Sequence, residues 1–424
     1  MRPLGFIWSL AIVFAGLGLP FAYLFDTNGI FFILTSRVGE RAVLDAYRWT
    51  VVGLVVVIGL ALVLGAQKKE KAFLSKSISP RSQRYYNNLW IGVLCASALA
   101  TFVNFISTGF TIPLLELISD PANFLLQRSE ARAAVNQNLL NLNLVFLCPF
   151  SICISAFFIK RWRIVKILIS ILNILVVSSF SLAKSPIAIA FLVVIIFSSC
   201  IRPISYKRLM RMGVLLVAIV IPIFMLASAG RSTWGQNKSV VEIVVGRILY
   251  GQWTGLPYFF EIYKKKKASI GTLLPPYLRS GDGRWEYKGE ESPSRQAMRA
   301  VTGYRNLETA GVGVAVTFFI GEAYAVWGVA GAILGSLLVG FEIYLLTWVF
   351  SHWPRNIWTM FLYSWFTYKI GIGIMTGFSA FIFSSLAYLL AAFFLLTLML
   401  ILDRRTTDPK PALVLDDGHS QRAS

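Results

Sequence analysis

Histidine is nearly missing from this chain of 424 residues. The two present, His352 and His419, both lie outside its one long polar stretch. A histidine-based catalyst in that stretch is therefore excluded. Cysteine is scarce as well. Cys95, Cys148, Cys153 and Cys200 lie in or at the ends of apolar runs without the close spacing of a metal cluster, and they read as buried free thiols. Neither a glycine-rich phosphate loop nor a dinucleotide-binding fingerprint occurs. The expectation is a protein with no metal and no cofactor. Charge is short too, at 14% of residues, where a soluble domain carries about 25%.

Apolar residues take up the difference. They make up 56% of the chain, and the mean hydropathy is +0.67. Most fall into runs long enough to cross a bilayer, about 20 residues each. The chain reads as an all-α polytopic membrane protein. Its net charge of +20 would point to nucleic acid in a soluble protein. In a membrane protein it reflects Lys and Arg kept on the inner side, and no nucleic-acid partner is expected. The N-terminal MRPLGFIWSLAIVFAGLGLPFAYLF exceeds the apolar core of a signal peptide and meets no small-x-small site, so it is expected to stay as a first helix.

Ten spans are predicted, at roughly 4–25, 49–66, 88–109, 139–159, 164–182, 186–201, 212–229, 328–350, 357–375 and 378–402. With the N-terminus inside, the inner segments hold 20 basic residues and the short outer segments 6. That bias places both termini in the cytoplasm. Four parts follow: a seven-helix membrane part over 1–229, a large outer loop over 230–311, a C-terminal membrane part over 312–402 and an inner tail over 403–424. The loop contains VVEIVVGRILYGQWTGLPYFFEIY, which could be counted as a further span. Its Glu242, Arg247, Pro257 and Glu261 favour an amphipathic helix lying on the membrane surface.

The loop concentrates arginine, at positions 231, 247, 279, 284, 295, 299 and 305, among Trp and Tyr rings. Guanidinium groups suit bidentate recognition of phosphate, and flat rings suit the C–H face of sugars. Contact with lipid headgroups or pairing with the loop's own acids is the competing reading. Arg231 directly follows a span in SAGRSTWG, and Lys184 sits in the tight turn SLAKSPIA. Both fall near the outer headgroup plane, where a lipid-linked phosphate would lie and where a snorkelling cation would also sit.

After the loop comes TFFIGEAYAVWGVAGAILG, apolar except for one carboxylate, Glu322, with Tyr324 two residues on. A short helix or re-entrant turn is expected before the span at 328. Glu322 there is either a partly desolvated general base or an interfacial acid that caps a helix or pairs with a loop arginine. Glu342 and Lys369, inside predicted spans, are the other charges to explain.

Residues Gly321 to Gly340, GEAYAVWGVAGAILGSLLVG, resemble the pattern of Wzy-type O-antigen or oligosaccharide-repeat-unit polymerases. In that family a Gly-Glu-aromatic motif, a small-residue turn and a glycine-rich span follow a large periplasmic loop. SLAKSPIA is similar to the family's basic turn between two middle spans, with Lys184 standing where Arg is common. The resemblance implies a bacterial inner-membrane glycosyltransferase of GT-C-like helical architecture. It would move a growing glycan from undecaprenyl pyrophosphate onto a single lipid-linked repeat unit at the periplasmic face. Glu322 with Tyr324 would then be the candidate base. Arg231, Arg247, Arg279, Arg284 and Lys184 would hold the departing pyrophosphate. The implied partners are undecaprenyl-pyrophosphate-linked oligosaccharide and membrane lipids, and the resemblance allows a chain-length regulator protein. O-antigen ligases typically rely on a loop histidine, which is missing here. A flippase reading gains from Glu342 and Lys369 but lacks two matching halves. A purely structural membrane subunit has no positive sign in the sequence.

Overall fold

A computed structural model of the protein describes residues 1–20, 37–79, 81–112, 134–180, 185–205, 207–208, 211, 255–274, 286–287, 290–303, 318–379 and 394. The expected span at 212–229, most of that at 378–402 and the tail from 403 lie outside them. The described part is helical, with one short antiparallel pair, β1 (Glu286–Tyr287) and β2 (Glu290–Glu291). Five stretches are long and apolar enough to cross a membrane: Pro3–Pro20, Glu40–Val63, Gln83–Ser107, Gln137–Phe157 and Phe318–Ser351.

In chain order the first helices are α1 (Pro3–Leu10), which continues as a π-helical stretch, α2 (Glu40–Val63), α3 (Ala66–Ser75) and α4 (Gln83–Ser107). Next come α5 (Gln137–Leu142) and α6 (Cys148–Phe157), joined by a π-helical stretch, then α7 (Arg163–Ser178) and α8 (Ser185–Ile201). From the large loop come α9 (Leu256–Ile262) and α10 (Pro293–Thr302). The C-terminal part gives α11 (Phe318–Ser351) and α12 (Ile357–Thr376). α11 packs along α2 and α3, and α12 lies against α1, α8 and α11. α6 sits between α4, α7 and α8. The core shared by these helices is aromatic. Phe73 and Phe350 meet Tyr363 at ring distances of 5.3 and 5.2 Å, and Phe150 meets Phe361 at 4.4 Å.

Polar side chains inside the bundle form a network around Ser97. Asn143, in the π-helical stretch, accepts from Ser97 Oγ and donates to Ser97 O at 2.9 Å and Thr101 Oγ1 at 3.0 Å. Asn173 of α7 donates to Ser97 Oγ at 2.7 Å. Three helices are thus joined at one serine, as interhelical hydrogen bonds do where water is excluded. All four cysteines are free, and three are buried as expected. Cys95 is exposed instead, because it shares one outward stripe of α4 with Ile91, Leu99 and Phe102. Such an apolar outward stripe suits contact with lipid.

One end of the bundle is clasped by cations on helix C-termini, where carbonyl groups lack intrahelical partners. Lys76 Nζ donates to Ser351 O at 2.7 Å and Trp353 O at 2.8 Å, closing the end of α11. The buried Arg355 donates to Cys200 O and Ile201 O at the end of α8, and to Lys76 O at 2.8 Å. Here too the buried Glu70 of α3 accepts from Leu4 N at 2.8 Å, one of the unpaired amides at the start of α1, and from Tyr363 Oη at 3.2 Å.

Burial raises the Glu70 carboxyl from an ordinary 4.5 to about 7, against the opposing pull of its two donors. Between those values the folded protein binds a proton that the unfolded chain has released, so stability falls as pH rises from 4.5 to 7. The loss from this group is on the order of 3 kcal/mol. Thermal unfolding of the detergent-solubilised protein across this range is expected to show the decline, and Glu70→Gln to flatten it.

Candidate functional site

The helix α11 is broken near its start. Gly328 has φ 66° and ψ −145°, a backbone state open to glycine and costly for other residues. The break folds the segment 318–327 back against the rest. A Cβ added at Gly331 would lie 2.1 Å from Ala323 O, although a straight helix would separate residues eight apart by about 12 Å. Gly335 would likewise meet Ala323 Cβ at 3.2 Å. The expected short helix before position 328 is therefore present, and the small residues of GVAGAILG line its close approach. α2 crosses both halves tightly, since a Cβ on Gly53 would meet Ile320 at 2.5 Å and Ser336 Oγ at 2.8 Å.

The break leaves carbonyl groups without their usual helical donors. One of them, Ala325 O, accepts from Ala268 N at 2.9 Å, which docks a segment of the large loop on the fold-back. Phe260 of α9 stacks on Tyr324 with ring centroids 4.1 Å apart. Lys267, the last of four consecutive lysines and exposed like the others, places Nζ 4.4 Å from the Tyr324 ring centroid. The same Nζ donates to Tyr263 O at 2.7 Å, and burial lowers its pKa from the ordinary lysine range.

Glu322 faces elsewhere. It is 7% exposed, and both of its oxygens accept hydrogen bonds. Oε1 takes one from Ser294 Oγ at 2.5 Å. Oε2 takes two from Ser379, from N and Oγ, each at 2.7 Å. Ser294 stands in the first turn of α10, and Ser379 lies just beyond Gly377, where α12 ends. Gly377 gives the carboxylate room, because a Cβ there would meet its atoms at 3.0 to 3.2 Å. One side chain thus ties the fold-back, a loop helix and the end of α12 together. Hydrogen bonds to a charged acceptor are the stronger kind. α10 is itself organised by Glu291, which pairs with Arg295 at 3.0 Å and Arg299 at 3.1 Å.

Of the residues singled out in the sequence, Glu322 and Tyr324 share this corner. They lie on different sides of the half-helix, as positions two apart do, and no hydrogen bond joins them among the described residues. Three of the roughly four acceptor sites of the Glu322 carboxylate are used, which leaves Oε1 able to accept one further hydroxyl. Arg231, Arg247, Arg279, Arg284 and Lys184 lie outside the described residues. Glu342 and Lys369 are not paired with each other among the described residues. Glu342 Oε1 has no hydrogen-bond partner among the described residues, and Lys369 Nζ lies 5.3 Å from the Trp365 ring centroid. The sequence reading missed Ser294, Ser379 and Lys267. The Ser-Pro-Ser of ESPSRQ is a helix-start signal that marks α10. Nothing local marks Ser379 or the contact of Lys267 with Tyr324.

Two outcomes are expected. Ser294→Ala removes one bond to a buried carboxylate and should lower the stability of the purified protein by about 1.5–3 kcal/mol, read by thermal unfolding. Gly331→Ala forces backbone against backbone and should cost at least about 1–3 kcal/mol, whereas Gly59→Ala, with open space around its Cβ position, should be tolerated. Compared with protein-family models, with curated proteins and with solved structures, the chain matches none.

Proposed function

We propose that the chain is an inner-membrane polysaccharide polymerase of the Wzy type. It would span the bacterial cytoplasmic membrane about ten times, with both termini in the cytoplasm and the loop at 230–311 in the periplasm. In this reading it joins undecaprenyl-pyrophosphate-linked repeat units by glycosyl transfer and releases undecaprenyl pyrophosphate. It needs no cofactor, because the pyrophosphate is already a good leaving group.

The observation that supports the reading best is the Glu322 junction. The one acid of the GEAY stretch is buried where the fold-back, the loop helix α10 and the end of α12 converge, with the cation Lys267 and the rings of Tyr324 and Phe260 on the neighbouring side of the same half-helix. Acid, cation and stacked rings at the base of a large loop suit a lipid-linked, phosphorylated sugar.

Electrostatic stabilisation carries more of the rate in this proposal than proton transfer. Arg231, Arg247, Arg279, Arg284 and Lys184 neutralise charge on the departing pyrophosphate. Glu322 orients the acceptor end and serves as base, with Tyr324 on the other side of the same half-helix. Loss of Arg231 or Arg247 is then expected to slow transfer by about 10²–10³-fold, and loss of Glu322 by less.

The test is the gel profile of surface glycan from a strain lacking the gene, restored with the wild-type chain or with the Arg231→Ala, Arg247→Ala or Glu322→Ala variant. Loss of the ladder with a single repeat unit still attached supports polymerisation. Disappearance of even that single unit points to a flippase or ligase and removes the proposal. A full ladder without Arg231 and Arg247 contradicts the assigned role of the arginines.

A further inference from the structure

Away from the Glu322 corner, the ends of α6, α7 and α8 enclose a cavity of about 490 Å³. Phe157, Ile201, Pro203 and Ile204 line it together with Arg163, Arg202 and Arg208. The three arginines are exposed, and none forms an ion pair with a carboxylate among the described residues. The sequence explains why a protein partner is hard to find nearby: no Asp or Glu occurs anywhere from 131 to 241, while 160–166 and 202–211 hold four cations each. Three guanidinium groups in one lining repel each other unless an anion from outside joins them.

The surroundings say which anion. Helix α7 carries an exposed apolar stripe of Ile164, Leu168, Leu172 and Leu175. Trp162, also exposed, stands at the start of that helix, where an indole suits the level of lipid headgroups. Exposed arginines and apolar side chains in one lining, with an apolar face alongside, match a molecule with a phosphate head and hydrocarbon tails.

We propose that this cavity is a binding site for the headgroup phosphate of an anionic phospholipid, with the acyl chains lying along α7. Guanidinium groups bind such phosphates in two-pronged fashion, and basic pockets between membrane helices select acidic lipids. The site is independent of any transfer reaction at Glu322. It gives the basic end of the bundle its counter-charge.

The experiment is native mass spectrometry of the full chain released from detergent. The protein is supplied with phosphatidylglycerol, with phosphatidylcholine of the same acyl chains, or with inorganic phosphate. The wild type is expected to retain phosphatidylglycerol over phosphatidylcholine and not to retain phosphate. The R163Q/R202Q/R208Q variant should lose that preference by about a hundredfold, roughly fivefold for each charge. The variant K68Q/K69Q/K71Q makes the same charge change on α3 and should keep it. Where the triple arginine variant fails to fold, R202Q alone carries the test, with about a fivefold loss expected. Unchanged lipid retention in the arginine variants overturns the proposal. So does an equal loss in the lysine variant, which would mean diffuse charge attraction, and so does retention of inorganic phosphate equal to that of lipid, which would mean a soluble-anion site.

Discussion

The backbone turn at Gly328 is the constraint on which the candidate site depends. A helix that ran straight from 318 to 351 would hold Ala323 about 12 Å from Gly331 and about 18 Å from Gly335, the two glycines it now meets, given the rise of about 1.5 Å per residue. Turned back at Gly328, the same residues become a half-helix wedged between α2 and the large loop. The turn also frees Ala325 O, which recruits Ala268 of the loop. Backbone geometry, rather than any one strong side-chain contact, brings a soluble-looking segment down onto the membrane part. The hydrogen bonds of Glu322 then hold what the turn has assembled.

The two ends of the bundle solve the problem of buried charge differently. At the basic end, cations sit on helix carbonyls: Lys76 on the end of α11 and Arg355 on the end of α8. There the peptide dipoles supply the negative partner. At the Glu322 corner the roles reverse, and a carboxylate is met by hydroxyls and one amide without a cation among the described residues. Neutral donors leave the local field around Glu322 negative. An incoming group with a polarised hydroxyl meets that field favourably, whereas a phosphate is repelled and is better placed near cations such as Lys267 on the other side of the half-helix. The half-helix thus carries an acid on one side and a cation on the other, a separation that the proposed glycosyl transfer would use.

Much of this was legible in the residues themselves. The apolar runs mark α2, α4, the α5–α6 stretch and α11 as long and apolar enough to cross a membrane, a composition signal that needs no knowledge of neighbours. The lone acid in the apolar FFIGEAYAVWG leads to the expected short helix or re-entrant turn before position 328, and the helix is broken at Gly328. What could not be read was pairing at a distance. Ser294 and Ser379 meet Glu322 across 28 and 57 residues, and serines are too common for their positions to carry a signal. The exposure of Cys95 was hidden for a related reason: an apolar helix in a membrane shows no polar face to reveal which side looks outward.

The most direct test of this account is amide hydrogen exchange on the purified chain with and without the Glu322→Ala substitution. The account predicts that protection in α10, over Pro293–Thr302, falls by about tenfold or more when the carboxylate is lost, while the middle of α12 keeps its protection. Unchanged exchange in α10 would contradict it, because Glu322 would then not be what holds the loop to the membrane helices.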